Sequence, residues 1–193
     1  MLAGGASRRF GGRPKGLEMV GGRRVIDRVH DALLPVAGEI VLVANDPRAT
    51  SWRPGTRVVG DAHPGAGGLA GVHAALATGH DVLAVAWDMP FVTSALLAAI
   101  RDCAERANAD VCVPESGSPY GIEPFCAFYR STMLEPLDRF LAGGGGSARD
   151  FLAQCSVARF PLAEVRGFGD PEVLFLSVNS AEELERARSL ERV

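Results

Sequence analysis

The segment Leu2-Ala3-Gly4-Gly5-Ala6-Ser7-Arg8-Arg9-Phe10-Gly11-Gly12-Arg13-Pro14-Lys15 concentrates groups that bind anions. Glycines let backbone N–H groups approach a ligand closely, and successive N–H groups form a concave nest for negative charge. Arg8, Arg9 and Lys15 add donors that suit phosphate oxygens. The loop therefore reads as a triphosphate cradle, although taken alone it also fits a solvated basic tail. Three polar residues further on each follow an apolar run: Asn45 after VLVA, Asp61 after RVVG and Asp88 after VLAVAW. Ligands of open α/β sheets sit beyond the carboxyl ends of the strands, so adjacent strands would gather these residues on one edge. Each by itself is an ordinary turn residue; their joint occurrence with the glycine-rich loop outlines a site. Asp88-Met89-Pro90 places a carboxylate at a rigid strand exit. That suits Mg²⁺, which takes one or two carboxylates and fills its shell with phosphate oxygens and water.

Two common phosphate motifs are excluded. Lys15 lies between Pro14 and Gly16, so the hydroxyl that a P-loop offers to its metal is missing. Gly4 and Gly5 are adjacent, which breaks the dinucleotide fingerprint. A second glycine-rich stretch, Pro64–Gly71, leads into a helix and lets backbone groups reach a base edge, or merely caps that helix. His63 and His73 have no nearby Ser or Cys to form a nucleophile pair, and are assigned structural or surface roles. Cys103, Cys112, Cys126 and Cys155 are scattered without a C-x-x-C pair, as small buried residues of a reducing cytosol would be.

These residues need a scaffold, and the pattern supplies one. Helices are predicted over Val25–Ala37, Leu69–Thr78, Thr93–Ala107 with Thr93 or Ser94 as cap, Ser131–Ala142 despite Pro136, and Ala148–Gln154. Strands are predicted over Glu39–Ala44, Arg57–Gly60, Asp81–Trp87, Val111–Pro114 and Phe125–Tyr129. Gly143–Gly146 is read as a surface turn, and Ser180-Ala181-Glu182-Glu183 as a capping box opening a helix to Leu190. Alternating strands and helices over 193 residues give one three-layer α/β/α domain with a mostly parallel sheet. Net charge is −3 and mean hydropathy +0.11, which argues against nucleic acid or an anionic membrane as partner. No apolar run is long enough to span a bilayer.

The pattern L-A-G-G-x-S-x-R-Φ-G-x-x-x-K resembles the signature loop of nucleotidyltransferases with a Rossmann-like fold. LAGG with RRFGGRPKGL is most similar to the molybdenum cofactor guanylyltransferases, whereas cytidylyltransferase relatives usually read L-A-A-G. The likeness runs nearly the whole length. Glu123-Pro124-Phe125-Cys126-Ala127-Phe128-Tyr129-Arg130 resembles the family's x-P-L-C-A-L-Y-R, and Ser177-Val178-Asn179-Ser180-Ala181-Glu182-Glu183-Leu184 its N-V-N-T-P-E-E-L ending. Departures are Ser177 for the first Asn, Glu123 where Gln or His is common, and Gly68 where Pro is usual. A full strand precedes L-A-G-G in the family and only Met1-Leu2-Ala3 here. A start placed too late, rather than a tolerated truncation, is the expectation, since a stub would leave its neighbours' backbone groups unpaired.

The resemblance implies transfer of GMP from GTP to the terminal phosphate of molybdopterin, with Mg²⁺ as cofactor and pyrophosphate as leaving group. It assigns Arg8, Arg9 and Lys15 to the triphosphate, and Asp88 to the metal and phosphates. Leu2, Ala3, Gly4, Gly5, Asn45, Asp61, Gly68 and Leu69 join Lys15 and Asp88 in holding the nucleotide. Glu123, Pro124 and Asn179 fall in the region tied to the pterin acceptor. The nucleotide half would span about residues 1–110 and the acceptor half about 111–193 of a cytoplasmic monomer or small homo-oligomer, with contacts to cofactor-delivering or accepting proteins left open. Transfer from CTP, another phosphorylated acceptor, a non-catalytic GTP-binding protein and a scaffold with incidental glycine turns stay open as alternatives.

Overall fold

The computed structural model describes residues 1–3 and 14–191. A 3₁₀ turn over Lys15–Leu17 leads into a hairpin of β1 (Met19–Val20) and β2 (Arg23–Arg24). Its two-residue loop is Gly21-Gly22, at φ +56° and +75°, the double left-handed turn that only glycine adopts without strain. The chain continues through α1 (Val25–Leu33), β3 (Val41–Val43), α2 (Ala49–Trp52), β4 (Arg57–Val59), α3 (Gly68–Leu76), β5 (Val82–Val85) and α4 (Ser94–Ala107). It then forms β6 (Val111–Pro114), β7 (Cys126–Tyr129), α5 (Leu134–Ala142), α6 (Ala148–Leu152), β8 (Val157–Phe160), α7 (Leu162–Val165), α8 (Pro171–Leu174) and α9 (Ala181–Leu190).

Several expectations need trimming. The first helix stops at Leu33 rather than Ala37, because Pro35 has no N–H to return to Asp31. Pro136 is tolerated because it falls in the first turn of α5, where no intrahelical donor is required. Thr93 caps α4, its Oγ1 accepting from Leu96 N at 3.2 Å. Strand β8, the hairpin and the one-turn helices α2, α7 and α8 were not expected; the hairpin strands and one-turn helices are too short to show a period, and β8 carries Arg159 within its four residues.

β3 and β4 pair in parallel, and β5–β7–β6–β8 form a four-stranded mixed ladder in which β7 runs antiparallel to both neighbours. Met1-Leu2-Ala3 joins the two groups. Leu2 bridges Val43 and Ala86 in parallel. Leu2 N donates to Val85 O at 2.8 Å, Ala3 N to Val43 O at 2.9 Å, and Trp87 N to Leu2 O at 3.2 Å. The stub pairs with its neighbours at the carboxyl ends of β3 and β5. Toward their amino ends a groove of about 540 Å³ opens beneath Met1.

Successive residues of β7 enter two different apolar clusters, as the two-residue period of a strand demands. Cys126 and Phe128 join α1 and α4 through Ile26, Val29, Leu96 and Ile100. Ala127 and Tyr129 join α3, α5 and α6 through Val72, Leu76, Leu137 and Phe151. A third cluster is smaller: Val20 and Val25 of the hairpin region pack against Leu176, Val178, Leu184 and Ala187. It ties the beginning of the described chain to its end.

Tyr129 is wholly buried, and its hydroxyl donates to Pro124 O at 2.7 Å. Burial pushes the phenol well above its ordinary range, so it stays a donor at every physiological pH. Tyr129→Phe leaves that carbonyl without its partner and lowers stability by about 1 kcal/mol, read as a lower urea midpoint with an unchanged slope.

Candidate functional site

A cleft of about 1390 Å³ opens at the carboxyl ends of β3, β4, β5 and the Met1–Ala3 stub. At its centre the Lys15 ammonium donates to Asp88 Oδ2 at 2.5 Å and to Asn179 Oδ1 at 2.6 Å. The side chains of Lys15 and Asp88 are only 14% and 6% exposed, so this ion pair is shielded from water. Each partner is placed by backbone. Gly16 sits directly on the Trp87 ring, where a Cβ would collide with it. Asp88 O accepts from Val178 N at 2.9 Å, which draws the segment before α9 to the cleft. Ser180 caps α9, accepting from Glu183 N as expected, but the Glu183 carboxylate reaches past Ser180 and takes Asn179 N at 2.7 Å. Glu183 thus fixes the backbone of the residue that holds Lys15.

One end of the cleft carries the pair Asn45 and Asp61. Asn45 Nδ2 donates to Asp61 Oδ2 at 2.8 Å, and Asp61 N to Asn45 Oδ1 at 2.9 Å. This leaves Asp61 Oδ1 buried with no partner among the described residues. An orphaned buried acceptor is costly, and a ligand N–H or hydroxyl would relieve it. Beside it lies the start of α3, with Gly67 at φ +72°. The Phe125 ring packs so closely on Gly68 that a Cβ there would strike it. Trp52 stacks on Trp87 at 4.8 Å between ring centroids and closes the floor.

The other end is lined by Glu123, Pro124, Tyr120 and Ser147–Arg149. Glu123 Oε1 accepts from Ser116 Oγ at 2.7 Å, yet burial holds its carboxyl above the usual carboxylate range. Arg149 lies over the exposed Tyr120 ring and donates to Tyr120 O at 2.9 Å.

Of the residues singled out from sequence, Leu2, Ala3, Lys15, Asn45, Asp61, Gly68, Asp88, Glu123, Pro124 and Asn179 all line this one cleft. Leu69 does not: its side chain is 2% exposed and turned into the core, so only its backbone remains for a ligand. Gly4, Gly5, Arg8 and Arg9 lie outside the described residues. Trp52, Trp87, Tyr120, Phe125, Arg149 and Glu183 were missed. Trp87 had a signal, a large aromatic beside the strand-end aspartate; the rest had none that spacing could carry.

Asp88 fits a hard divalent cation, being one buried carboxylate on a wall that faces open space where phosphate oxygens could complete the shell. Cys112, Cys126 and Cys155 do not compete as nucleophiles or ligands. Burial pushes Cys112 and Cys126 far up and Cys155 up to about 11.

A glycine-lined cleft at the carboxyl edge of an α/β sheet, centred on a lysine and an aspartate, defines a phosphate-handling protein of the nucleotide-binding α/β class. The match to the family model described as MobA-like NTP transferase domain covers residues 1–159, and the chain belongs to that family. It is 36% identical over 192 residues to the molybdenum cofactor guanylyltransferase of Desulfosudis oleivorans, covering 98% of this chain and 93% of that protein. The crystal structure of molybdopterin-guanine dinucleotide biosynthesis protein A from Archaeoglobus fulgidus superposes with a TM-score of 0.84 at 29% identity, covering 98% and 95% of the two chains. Rv0371c from Mycobacterium tuberculosis, solved in complex with manganese, shares the fold at a TM-score of 0.69 and 20% identity, covering 97% and 95%.

Two outcomes follow for stability. Gly68→Ala overpacks the Phe125 ring and costs about 1–3 kcal/mol, and Phe125→Leu in the same chain recovers most of it, a coupling measurable by a double-mutant cycle in urea. Glu123 binds its proton more tightly folded than unfolded, so it favours the folded state at low pH and loses that contribution as pH rises through its raised pKa. Glu123→Gln removes the buried charge. Its stability relative to the parent therefore rises between pH 4 and pH 8 in denaturant titrations.

Proposed function

We propose that this chain transfers GMP from GTP to the terminal phosphate of molybdopterin, giving the guanine dinucleotide cofactor and pyrophosphate. The observation that carries the reading is the half-buried Lys15–Asp88–Asn179 cluster at the centre of a cleft with a glycine-rich shelf at one end and a polar shelf at the other. The relatives' names support guanine and the pterin acceptor. The same reading takes the chain as one three-layer α/β/α domain with a mostly parallel sheet, its nucleotide and acceptor halves meeting at the cleft. The two apolar clusters that share β7 support it.

In this reading an oxygen of the acceptor phosphate attacks the α-phosphorus of GTP. The new P–O bond forms as the bond to the β-phosphate bridging oxygen breaks, and pyrophosphate carries off the charge. The attacking group is already anionic, so no strong general base is needed, and the cleft contributes positioning and charge neutralisation. Lys15 moves between its protein partners and the α- and β-phosphate oxygens, while Asn179 and Glu183 keep it in reach. Arg8 and Arg9 complete the triphosphate contacts. A divalent ion, Mg²⁺ in this proposal, held by Asp88 would neutralise phosphate charge and template the triphosphate. Asp61 Oδ1 and the backbone of Gly67–Leu69 take the nucleoside, and Glu123, Pro124 and Asn179 border the acceptor. The scattered free thiols accord with a reducing cytoplasmic setting.

Lys15→Ala and Asp88→Ala each lower turnover by roughly 10²–10³ with circular dichroism unchanged, measured as pyrophosphate release in the presence of molybdopterin. A panel of GTP, CTP and ATP with Mg²⁺ separates the readings. Release from GTP alone supports this one, and release from CTP replaces it with cytidylyl transfer. Nucleotide binding without release with any acceptor overturns catalysis, and no melting shift with any nucleotide reduces the glycine loops to turns.

A further inference from the structure

Outside the cleft, three ligating side chains converge where α3 meets α5. Asp138 Oδ1 stands 2.9 Å from His63 Nε2 and 3.2 Å from His73 Nε2. A ligand atom from each of the three lies within 4.8 Å of the others. The two imidazole rings are 4.8 Å apart at 86°, so they approach edge to face around the carboxylate.

We propose that His63, His73 and Asp138 bind a transition-metal cation of the Zn²⁺ type, four-coordinate with water in the fourth position. Tetrahedral Zn²⁺ with bonds of about 2.0–2.2 Å keeps its donors roughly 3.4 Å apart. The two histidine–carboxylate separations are near that spacing, the donors of all three residues lie within 4.8 Å of one another, and Asp138, with 53% of its side chain exposed, can rotate to admit the ion between the rings. Two imidazoles and a carboxylate select zinc, copper or nickel over Mg²⁺, whose shell is all oxygen. The site is therefore chemically distinct from the Asp88 position. It also has a consequence for the cleft: His63 follows Asp61 by two residues in the loop that leads to Gly67, so a bound ion would fasten that loop to α5. His73 Nδ1 is buried with no partner among the described residues. Ligation through Nε2 puts the ring proton on that nitrogen with no acceptor, and a missing outer partner typically weakens metal binding 10–100-fold. The ion is expected to exchange and to be removable by chelators.

The test uses the full chain, stripped with a chelator and titrated with Co²⁺ followed by Zn²⁺. One equivalent of Co²⁺ giving the visible absorption of a four-coordinate ion, displaced by Zn²⁺, is expected. Asp138→Asn and His63→Ala each weaken binding by about tenfold or more, while Asp88→Asn retains the signal. Circular dichroism confirms that the variants fold. Absence of binding, a signal that survives both Asp138→Asn and His63→Ala, or a thiolate charge-transfer band would overturn the assignment. None of these readouts depends on the transfer reaction.

Discussion

A single ammonium group ties this site together. Lys15 contacts Asp88, 73 residues away, and Asn179, 164 residues away, so three remote stretches must be in register before the cleft exists. A shielded ion pair gives little net stability, because desolvation consumes most of the Coulomb gain, yet removing one partner strands the other. Its value lies in placement. The scaffold bears that burden through the third apolar cluster, where Val20 and Val25 pack on Leu176, Val178 and Leu184. Arg188 Nε adds a bond to Met19 O at 3.0 Å, and Val178 N one to Asp88 O. The chemistry of the cleft thus rests on α9 docking against the hairpin at the other end of the chain.

Small residues and aromatics are used in pairs around the site. Gly16 rests on Trp87 and Gly68 on Phe125, and at both places the missing Cβ lets backbone lie flat on a ring. Trp52 stacked on Trp87 extends the same surface. Rigid aromatic floors beneath glycine-rich backbone fix the chain along the wall of the cleft, at little cost in side-chain entropy. Between β3 and β5, Met1-Leu2-Ala3 meets the same need differently: Leu2 bonds Val85 O and Trp87 N on one side while Met1 O and Ala3 N bond Val43 on the other, keeping the strand ends that carry Asn45 and Asp88 in line.

Much of the candidate site was legible in the sequence. Strand-end polar residues after apolar runs gave Asn45, Asp61 and Asp88, because a buried strand must stop where polarity begins and ligands collect at that edge. The glycine loops gave Lys15 and Gly68. What escaped notice had physical reasons. Trp52 sits on a one-turn helix, Phe125 is one more apolar residue in an apolar segment, and the one-turn elements carry no period. Glu183 looked like a capping-box glutamate, and only the geometry shows it serving Asn179 N instead of its own cap. His63 and His73 read as unremarkable because Asp138, their common neighbour, lies on a different helix.

Residue type and local spacing alone decided that this chain is an α/β protein with a basic, glycine-rich loop and carboxylates at strand ends, since these follow from short-range rules of periodicity, capping and turns. Only the tertiary structure decided which of those groups meet. Strand order, the reversed direction of β7, the bridging of two strands by three residues, and the convergence on Lys15 arise from contacts between segments far apart in the chain. Such contacts leave no periodic trace in the residues that make them.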